Sequence, residues 1–504
     1  MQIIKSGVIV ASFTLISRIF GYIRDILMAS YLGLHFDAFA VAFRLPNTFR
    51  TLFAEGAFSA AFVPMFSAKL APNNKEDAFT FASQIFSLLF IILLLFIGAM
   101  MLFMPNIISI LAPGFIKDQE KFLLTISLAY FTTPYLFFIS LASLYTGVMN
   151  SCGKFAVAAA LPIILNLVMI LAIIFLTPLS VTPSHALSYG VFIAGISQFA
   201  TICYAVHRAD IHIGFTKIVI TDDLKMMFRN MLPVIIGSGV VQINLAVGTI
   251  IASFIDGAAS ILYMADRLNQ FPLAIIGTAL GTVLLPALSK QLKENKLKEA
   301  MATQGKALEL ALFFALPCAF ALGVISDTLI SFLFERGNFN AQDSFKVANA
   351  LSALAVGLPA FIMIKIFTPR YFAQYDTTTP VKISAVCIVA NIILSIALSQ
   401  VYSYVGIAMA TSISAWINVS LLYYFQYKRK IFIIEKKSLI YIGKVFCSCL
   451  LMIIALILFE RIDFTISSAI YNFIIFVSEI LFGSVVYLSS SYFLKTLNFN
   501  FRKV

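Results

Sequence analysis

The sequence predicts an all-α polytopic membrane protein: about fourteen transmembrane helices, forming two six-helix lobes related by a pseudo-twofold axis along the membrane normal, plus two extra C-terminal helices. Composition, the recurrence of long apolar runs and an internal repeat predict it. Of 504 residues, 61% are hydrophobic and 12% charged. Apolar runs of about 20 residues, each enough to cross a bilayer, recur along the chain. Stretches such as FSLLFIILLLFIGAMMLFM (86–104) have no polar face to offer water, which excludes a soluble helical bundle. Phe supplies 50 residues and Trp one, a balance suited to lipid-facing and helix-packing surface.

The first span, 8–33, follows Lys5 and superficially resembles a secretion signal. Arg18 interrupts its apolar stretch and no small-residue cleavage site follows, so it is expected to be retained. The second, 36–66, carries Asp37, Arg44, Arg50 and Glu55, with Pro46 expected to kink it and open backbone carbonyls to a cavity. Spans three and four, 79–104 and 122–148, lead to GVMNSCGKF (147–155), which imitates a phosphate-binding P-loop. Its five residues between glycines, one too many, and Phe155 in place of Ser/Thr make it a connection to span five, 155–177. Spans six to eight are placed at 186–206, 225–255 and 259–288; the eighth holds Asp266, Arg267 and a GxxxG pair, Gly277 and Gly281, read as close helix packing. Spans nine to twelve follow at 307–327, 345–372 with Lys365, 381–402 and 404–427. The last two, 439–460 and 468–494, are apolar apart from Lys444 near one end and Glu479.

An even count puts both termini on one side. The N-terminus, the even-numbered loops and the C-terminal tail hold 23 Lys and Arg against 5 in the odd loops, so both termini are expected in the cytoplasm. The net charge of +12 then needs no nucleic-acid partner, because basic loops facing an anionic leaflet account for most of it. Six cysteines are scattered without CxxC and four histidines occur singly, so neither disulfide nor metal site is expected. No loop much exceeds about 20 residues, leaving no external domain for an enzyme's site. A transporter in the membrane is expected, with no cofactor and no ATP site.

Six basic residues remain within spans: Arg18, Arg24, Arg44, Arg50, Arg267 and Lys365. Facing lipid at the bilayer centre they would together cost about 15–21 kcal/mol, so they must face protein or water. At about 100° per residue, Arg18 and Asp25 share an azimuth within about 20°, as do Asp37, Arg44 and Glu55. Internal ion pairs, Arg18 with Asp25 and Arg44 with Glu55, are one reading of these stripes. Only Asp25, Asp37, Glu55 and Asp266 are available to pair with six bases. The excess points to a hydrated cationic cavity, and the planar arginine fork suits phosphate or pyrophosphate oxygens.

FRLPNTFRTLFAEGAFSAAFVPMFSAKL (43–70) is echoed by DRLNQFPLAIIGTALGTVLLPALSKQL (266–292): Arg44-Leu45 matches Arg267-Leu268, and Pro64 with Ser67 matches Pro286 with Ser289. Asn150–Asn166 is likewise echoed by Gln374–Asn391. The offset of six spans is even, so the two halves share orientation. The expected organisation is an N-terminal lobe at 1–210, a C-terminal lobe at 211–430, and helices 13 and 14 at 431–504, which serve either as an added apolar groove suited to a lipid tail or as extra packing helices.

SRIFGYIRD (17–25), the DAF…RLPNTFR…FAEGAFSAAFVP region (37–64), YMADRLNQFP (263–272), GTVLLPALSK (281–290) and TPVKI (379–383) together resemble the MurJ (MviN) family of lipid II flippases, within the multidrug/oligosaccharidyl-lipid/polysaccharide exporter superfamily. The resemblance runs over nearly the whole chain. It implies a V-shaped protein that moves lipid II, the undecaprenyl-diphosphate-linked peptidoglycan precursor, across the bacterial inner membrane by alternating access. It also implies that Arg18, Arg24, Arg50 and Arg267 contact the head group, that Asp37 and Asp266 serve gating or orientation, and that Lys365 stands where the family often has a cavity lysine. Gln270 departs from members that carry Glu there. The driving force is expected to be membrane potential or an ion gradient. Expected partners are lipid II and membrane lipids, with other cell-wall synthesis proteins as further candidates. Export of another polyprenyl-linked glycan, or ion-coupled multidrug antiport, are the alternatives within the superfamily; an arginine-rich cavity disfavours cationic drugs.

Overall fold

The computed structural model describes residues 2–70, 75–219, 221–461 and 469–497, with side chains other than those of 2–8, 53–55, 75, 236–238, 240, 241, 278, 282 and 469–472. Among these residues the regular secondary structure is all helical, with no strand. It divides into two compact units, Met1–Ser260 with Arg336–Phe339, and Ile261–Glu335 with Asn340–Val504.

The first unit begins with α1 (Gln2–Leu32) and α2 (Asp37–Phe49), which widens into a π-helical turn at Arg50–Phe58 before α3 (Ser59–Leu70). There follow α4 (Lys75–Leu102), α5 (Met104–Leu111), α6 (Gln119–Thr132), α7 (Tyr135–Ser151), α8 (Phe155–Leu176), α9 (Pro183–His207) and α10 (Asp222–Ser253). Side-chain caps set several starts: Asp118 accepts from the amide of Lys121, and Thr221 from that of Leu224. α10 packs with this unit through Lys69, whose ammonium lies 2.6 Å from Asp223, and through Gly114, where an added Cβ would stand 2.2 Å from the Ser253 carbonyl oxygen. Phe58, Phe62 and Phe66 stack successively at ring separations of 5.2 and 5.4 Å, and Phe62 also meets Phe81.

The second unit takes up α11 (Ala258–Pro272) from Ile261, then a π-helical turn at Leu273–Gly277, α12 (Thr278–Lys293), α13 (Leu297–Val324), α14 (Ser326–Phe334), α15 (Ala341–Ala355), α16 (Leu358–Phe372), α17 (Thr378–Lys428), α18 (Lys436–Glu460) and α19 (Ala469–Phe493). Its core joins Leu308 and Leu312 of α13, Ile362, Ile366 and Phe367 of α16, and Leu422 of α17. α18 and α19 are seated on α13 by a second cluster that includes Phe313, Val445, Met452, Leu456 and Tyr487.

Eleven helical stretches among the described residues are long and apolar enough to cross a membrane, against the fourteen expected, and residue 468 of the last expected span lies outside the described residues. One of the eleven, α17, has 51 residues. At 1.5 Å per residue it would run about 76 Å, more than twice a hydrocarbon core of about 30 Å. It is in fact broken at Ser403 (φ 54°, ψ −136°), the residue between the expected spans eleven and twelve. Gly406 lies so close to the other arm that an added Cβ would meet the Leu398 carbonyl oxygen at 2.3 Å. α1 and α10 have 31 and 32 residues.

Both copies of the repeat carry a π-helical turn, nine residues in the first and five in the second. The first copy is also a residue longer, with Pro64 20 positions after Arg44 and Pro286 19 after Arg267. A π-turn accommodates an extra residue without breaking the helix, which is why the copies stay superposable as sequence on either side of it.

Prolines inside spans leave a carbonyl four residues back without its helical donor. Pro46 does this to Ala42, whose oxygen accepts instead from the hydroxyl of Thr132 on α6 at 2.9 Å. Pro317 does it to Phe313, whose oxygen accepts from Tyr487 of α19 at 2.6 Å. The expected opening of carbonyls at Pro46 therefore feeds helix packing, with the freed acceptor satisfied by protein.

Candidate functional site

Seven of the singled-out residues belong to the first unit. Arg24 and Asp25 are adjacent on α1 and both buried, 3% and 2% exposed. The Arg24 guanidinium donates from Nε and Nη2 to Asp25 Oδ1 at 3.0 and 2.5 Å, and from Nη1 to Asn166 Oδ1 at 2.9 Å. Asn166 passes the connection on, donating to the Ser17 carbonyl at 2.9 Å. This ties α1 to α8 and locks Arg24 in a packed interface. It corrects one expected pairing: Asp25 is held by Arg24. Arg18, seven residues earlier, stands about 10 Å away along the helix, so a shared azimuth does not bring the two into contact. Arg18 is half-buried and makes no hydrogen bond or ion pair among the described residues.

On α2, Arg44 donates to the hydroxyl of Thr249 on α10. Arg50, at the start of the π-turn, donates to Asn47 Oδ1 at 3.1 and 2.8 Å. The side chain of Glu55, the other half of the expected Arg44 pair, lies outside the described residues.

Asp37 is the most heavily engaged carboxylate of the set. It is 2% exposed, opens α2, and accepts four hydrogen bonds. Oδ1 takes the amide and hydroxyl of Ser260, each at 2.7 Å, and Oδ2 takes the Gly257 amide at 2.8 Å and the Lys121 ammonium at 2.9 Å. Lys121 reaches on to Asp256 at 2.6 Å, and its hydrogen bond and charge hold that carboxyl below the ordinary carboxylate range. One buried acid thus clasps the turn between α10 and α11 to α2 and α6. Sequence reasoning placed Lys121 among the loop lysines and did not single out Asp256, because their partners lie 84 and 135 residues away in the chain. Asn166 had a signal, as the residue closing one half of the second repeat.

The other three residues belong to the second unit. Asp266 and Arg267 are both exposed on α11; Gln270 donates to Asp266 at 3.4 Å, and Arg267 lies over the Tyr263 ring at 6.0 Å. Lys365 is exposed on α16, and its Cγ lies 3.5 Å from where a Cβ on Gly277 would sit, an ordinary van der Waals contact with the residue closing the π-turn. Lys365 makes no hydrogen bond or ion pair among the described residues. Three ionic side chains, Asp266, Arg267 and Lys365, therefore stand exposed on helices rich in apolar residues. Such groups are tolerated only against water, protein or a polar ligand.

A sequence profile of the family described as "Lipid II flippase MurJ" matches residues 28–477. The chain is 40% identical to a "Probable lipid II flippase MurJ" of Rickettsia prowazekii (strain Madrid E), over 99% of each chain. It is 42% identical to a protein of the same description from Rhizobium tropici, over 85% of this chain and 82% of that one. Among solved structures it is similar to "Lipid II flippase MurJ, inward closed conformation", with a TM-score of 0.80, 28% identity, and coverage of 97% of this chain and 99% of the other. The inward-facing form of a MATE-family multidrug transporter matches with a TM-score of 0.70 over 84% of this chain and 97% of its own, at 13% identity, a likeness of fold alone.

Proposed function

The chain belongs to the lipid II flippase MurJ family, and we propose that it carries the undecaprenyl-diphosphate-linked disaccharide peptide from the cytoplasmic to the periplasmic leaflet by alternating access. It is a transporter and a multi-pass membrane protein. In this reading it sits in the bacterial inner membrane with both termini cytoplasmic, the side favoured by its basic loops. Segments 1–210 and 211–430 act as lobes that rock about the substrate, and 431–504 supplies a groove for the polyprenyl tail.

The observation that carries the reading is the exposure of Arg267 and Lys365, together with the absence of any hydrogen bond or ion pair at Arg18 and Lys365 among the described residues, on helices rich in apolar residues. A diphosphate bears charge opposite to theirs. Its oxygens suit the guanidinium fork, and its release in the opposite leaflet requires only that the contacts be exchanged for water. Arg50, half-buried and held by Asn47, joins them in this reading; Arg44 is tied to Thr249. Arg24, with Asp25, keeps α1 in register with α8. Asp37 clasps the turn before α11. Transport runs without a cofactor, driven by membrane potential or an ion gradient.

The test is native mass spectrometry of the purified protein with the diphosphate-linked disaccharide peptide, comparing the wild type with Arg18→Ala/Arg267→Ala. Adducts on the wild type that disappear in the double variant are expected. Equal adducts on both would remove the arginines from substrate binding.

A further inference from the structure

A cavity of about 520 Å³ in the first unit lies apart from the charged residues described above. It is bounded by Ile9 of α1, by Lys154, Phe155 and Val157 at the start of α8, and by Tyr204 and Arg208 at the end of α9. Its lining is mostly apolar, and its two charged members are both cations. Lys154 and Arg208 are exposed, and neither meets a carboxylate among the described residues; Arg208 lies over the Tyr204 ring at 5.6 Å. The first turn of α8 carries no side-chain cap, which leaves its partial positive charge on the same side.

The second half of the internal repeat provides a comparison. Arg208 is the C-cap of α9, the last helix of the first six, and Arg429 is the C-cap of α17, the last of the second six. Around Arg429 the chain supplies the counter-ion itself: Asp376, in the loop before α17, accepts from its Nη1 at 2.7 Å, and Thr379 accepts from its Nη2 at 3.0 Å. The corresponding loop of the first half, NSCGKF (150–155), has no acid and adds a second cation, Lys154. What is an internal ion pair in one half is, in the other, a cationic recess with carbon walls.

We propose that this recess binds an anionic phospholipid, with the headgroup phosphate between Lys154 and Arg208 and an acyl chain along Ile9, Phe155, Val157 and Tyr204. Charge complementarity selects an anion, and the apolar walls select one that carries hydrocarbon. The proposal rests on the membrane orientation given above, which puts these residues at the cytoplasmic leaflet, where anionic lipids draw basic side chains. The site is separate from the substrate's and serves as a fixed lipid contact for α1, α8 and α9.

The test uses the full-length protein in phosphatidylcholine vesicles containing a small fraction of phosphatidylglycerol with a photoactivatable diazirine on one acyl chain, and maps the crosslinks by peptide mass spectrometry. Labelling is expected within 149–157 and 201–209. Lys154→Ala/Arg208→Ala should lower it about tenfold or more, the loss expected for two basic contacts to an anionic headgroup. The charge-retaining Lys154→Arg/Arg208→Lys should keep it, which guards against misreading a folding defect. Val157→Trp, which fills the apolar part and leaves both cations, should also lower it. Equal labelling of the wild type and the double alanine variant, or equal labelling by a phosphatidylcholine probe, would overturn the proposal. The assay reads crosslinks and not transport, so its failure is distinguishable from failure of the flippase reading.

Discussion

The hydroxyl of Thr132 donates to the carbonyl oxygen of Ala42 at 2.9 Å, taking the place of the amide that Pro46 lacks. Tyr487 does the same for Phe313, freed by Pro317. In each case a proline in one span creates an acceptor that a hydroxyl on a neighbouring span fills, so the kink becomes a point of attachment.

Thr132→Val preserves shape and removes the donor. Leaving a buried carbonyl unsatisfied costs about 1–3 kcal/mol. The thermal unfolding midpoint in detergent should fall for Thr132→Val and for Tyr487→Phe, while Thr132→Ser stays near wild type. An unchanged midpoint in both variants would refute the account.

Arg24→Ala strips a buried carboxylate of its cation and should destabilise by about 3–5 kcal/mol. Arg24→Met/Asp25→Leu, which removes both charges, should recover part of the loss. If the single and double variants unfold alike, Asp25 does not depend on Arg24. Loss of transport in Arg24→Ala alone thus reports on folding as well as on substrate.

Arg18→Ala and Lys365→Ala remove side chains that hold nothing among the described residues, so unfolding should shift by no more than about 0.5 kcal/mol. Growth of cells depending on the variant protein should nevertheless be impaired. Full complementation by both would remove these two cations from the transport path.

Asp37→Ala discards four hydrogen bonds around the turn before α11, and should cost at least about 2 kcal/mol. Asp256, whose side chain is 95% exposed, meets Lys121 from its outer side, and Asp256→Asn should be near neutral. Hydrogen exchange at 254–260 separates the two: it should accelerate strongly in the first variant and little in the second.

Asp376 lies in the loop between α16 and α17, outside the spans. Its burial favours the neutral acid, but the hydroxyl and amide of Thr379 and the guanidinium of Arg429 outweigh this and hold its pKa to about 2. Because the folded value lies below the unfolded one of about 3.9, the clasp is fully present above pH ~4 and is lost as pH falls toward 2. Protease cleavage at 373–379 should rise over that window in the wild type and be independent of pH there in Asp376→Asn.

Much of the chain was legible before any coordinates. The spans could be placed because hydrocarbon imposes a length and an apolar composition on any helix that crosses it, and the break between spans eleven and twelve could be placed to within a residue of Ser403. The π-turns were not legible, since a one-residue offset between repeat copies reads equally well as a loose alignment. Nor was the engagement of Lys121, which sequence position alone makes an ordinary loop lysine.

The sequence by itself determined that this is a polytopic helical transporter of the MurJ family, and which charged residues its membrane helices must accommodate. Only the tertiary structure decided their roles: Arg24 as the partner of Asp25 and Asn166, Asp37 as the clasp on Ser260, and Arg18 and Lys365 without polar partners among the described residues. Periodicity ranks residues around a single helix. The bonds that settle these roles join residues 142, 84 and 223 positions apart, and such pairs are chosen by how helices pack, where each buried donor and acceptor must find whichever partner the neighbouring helix presents.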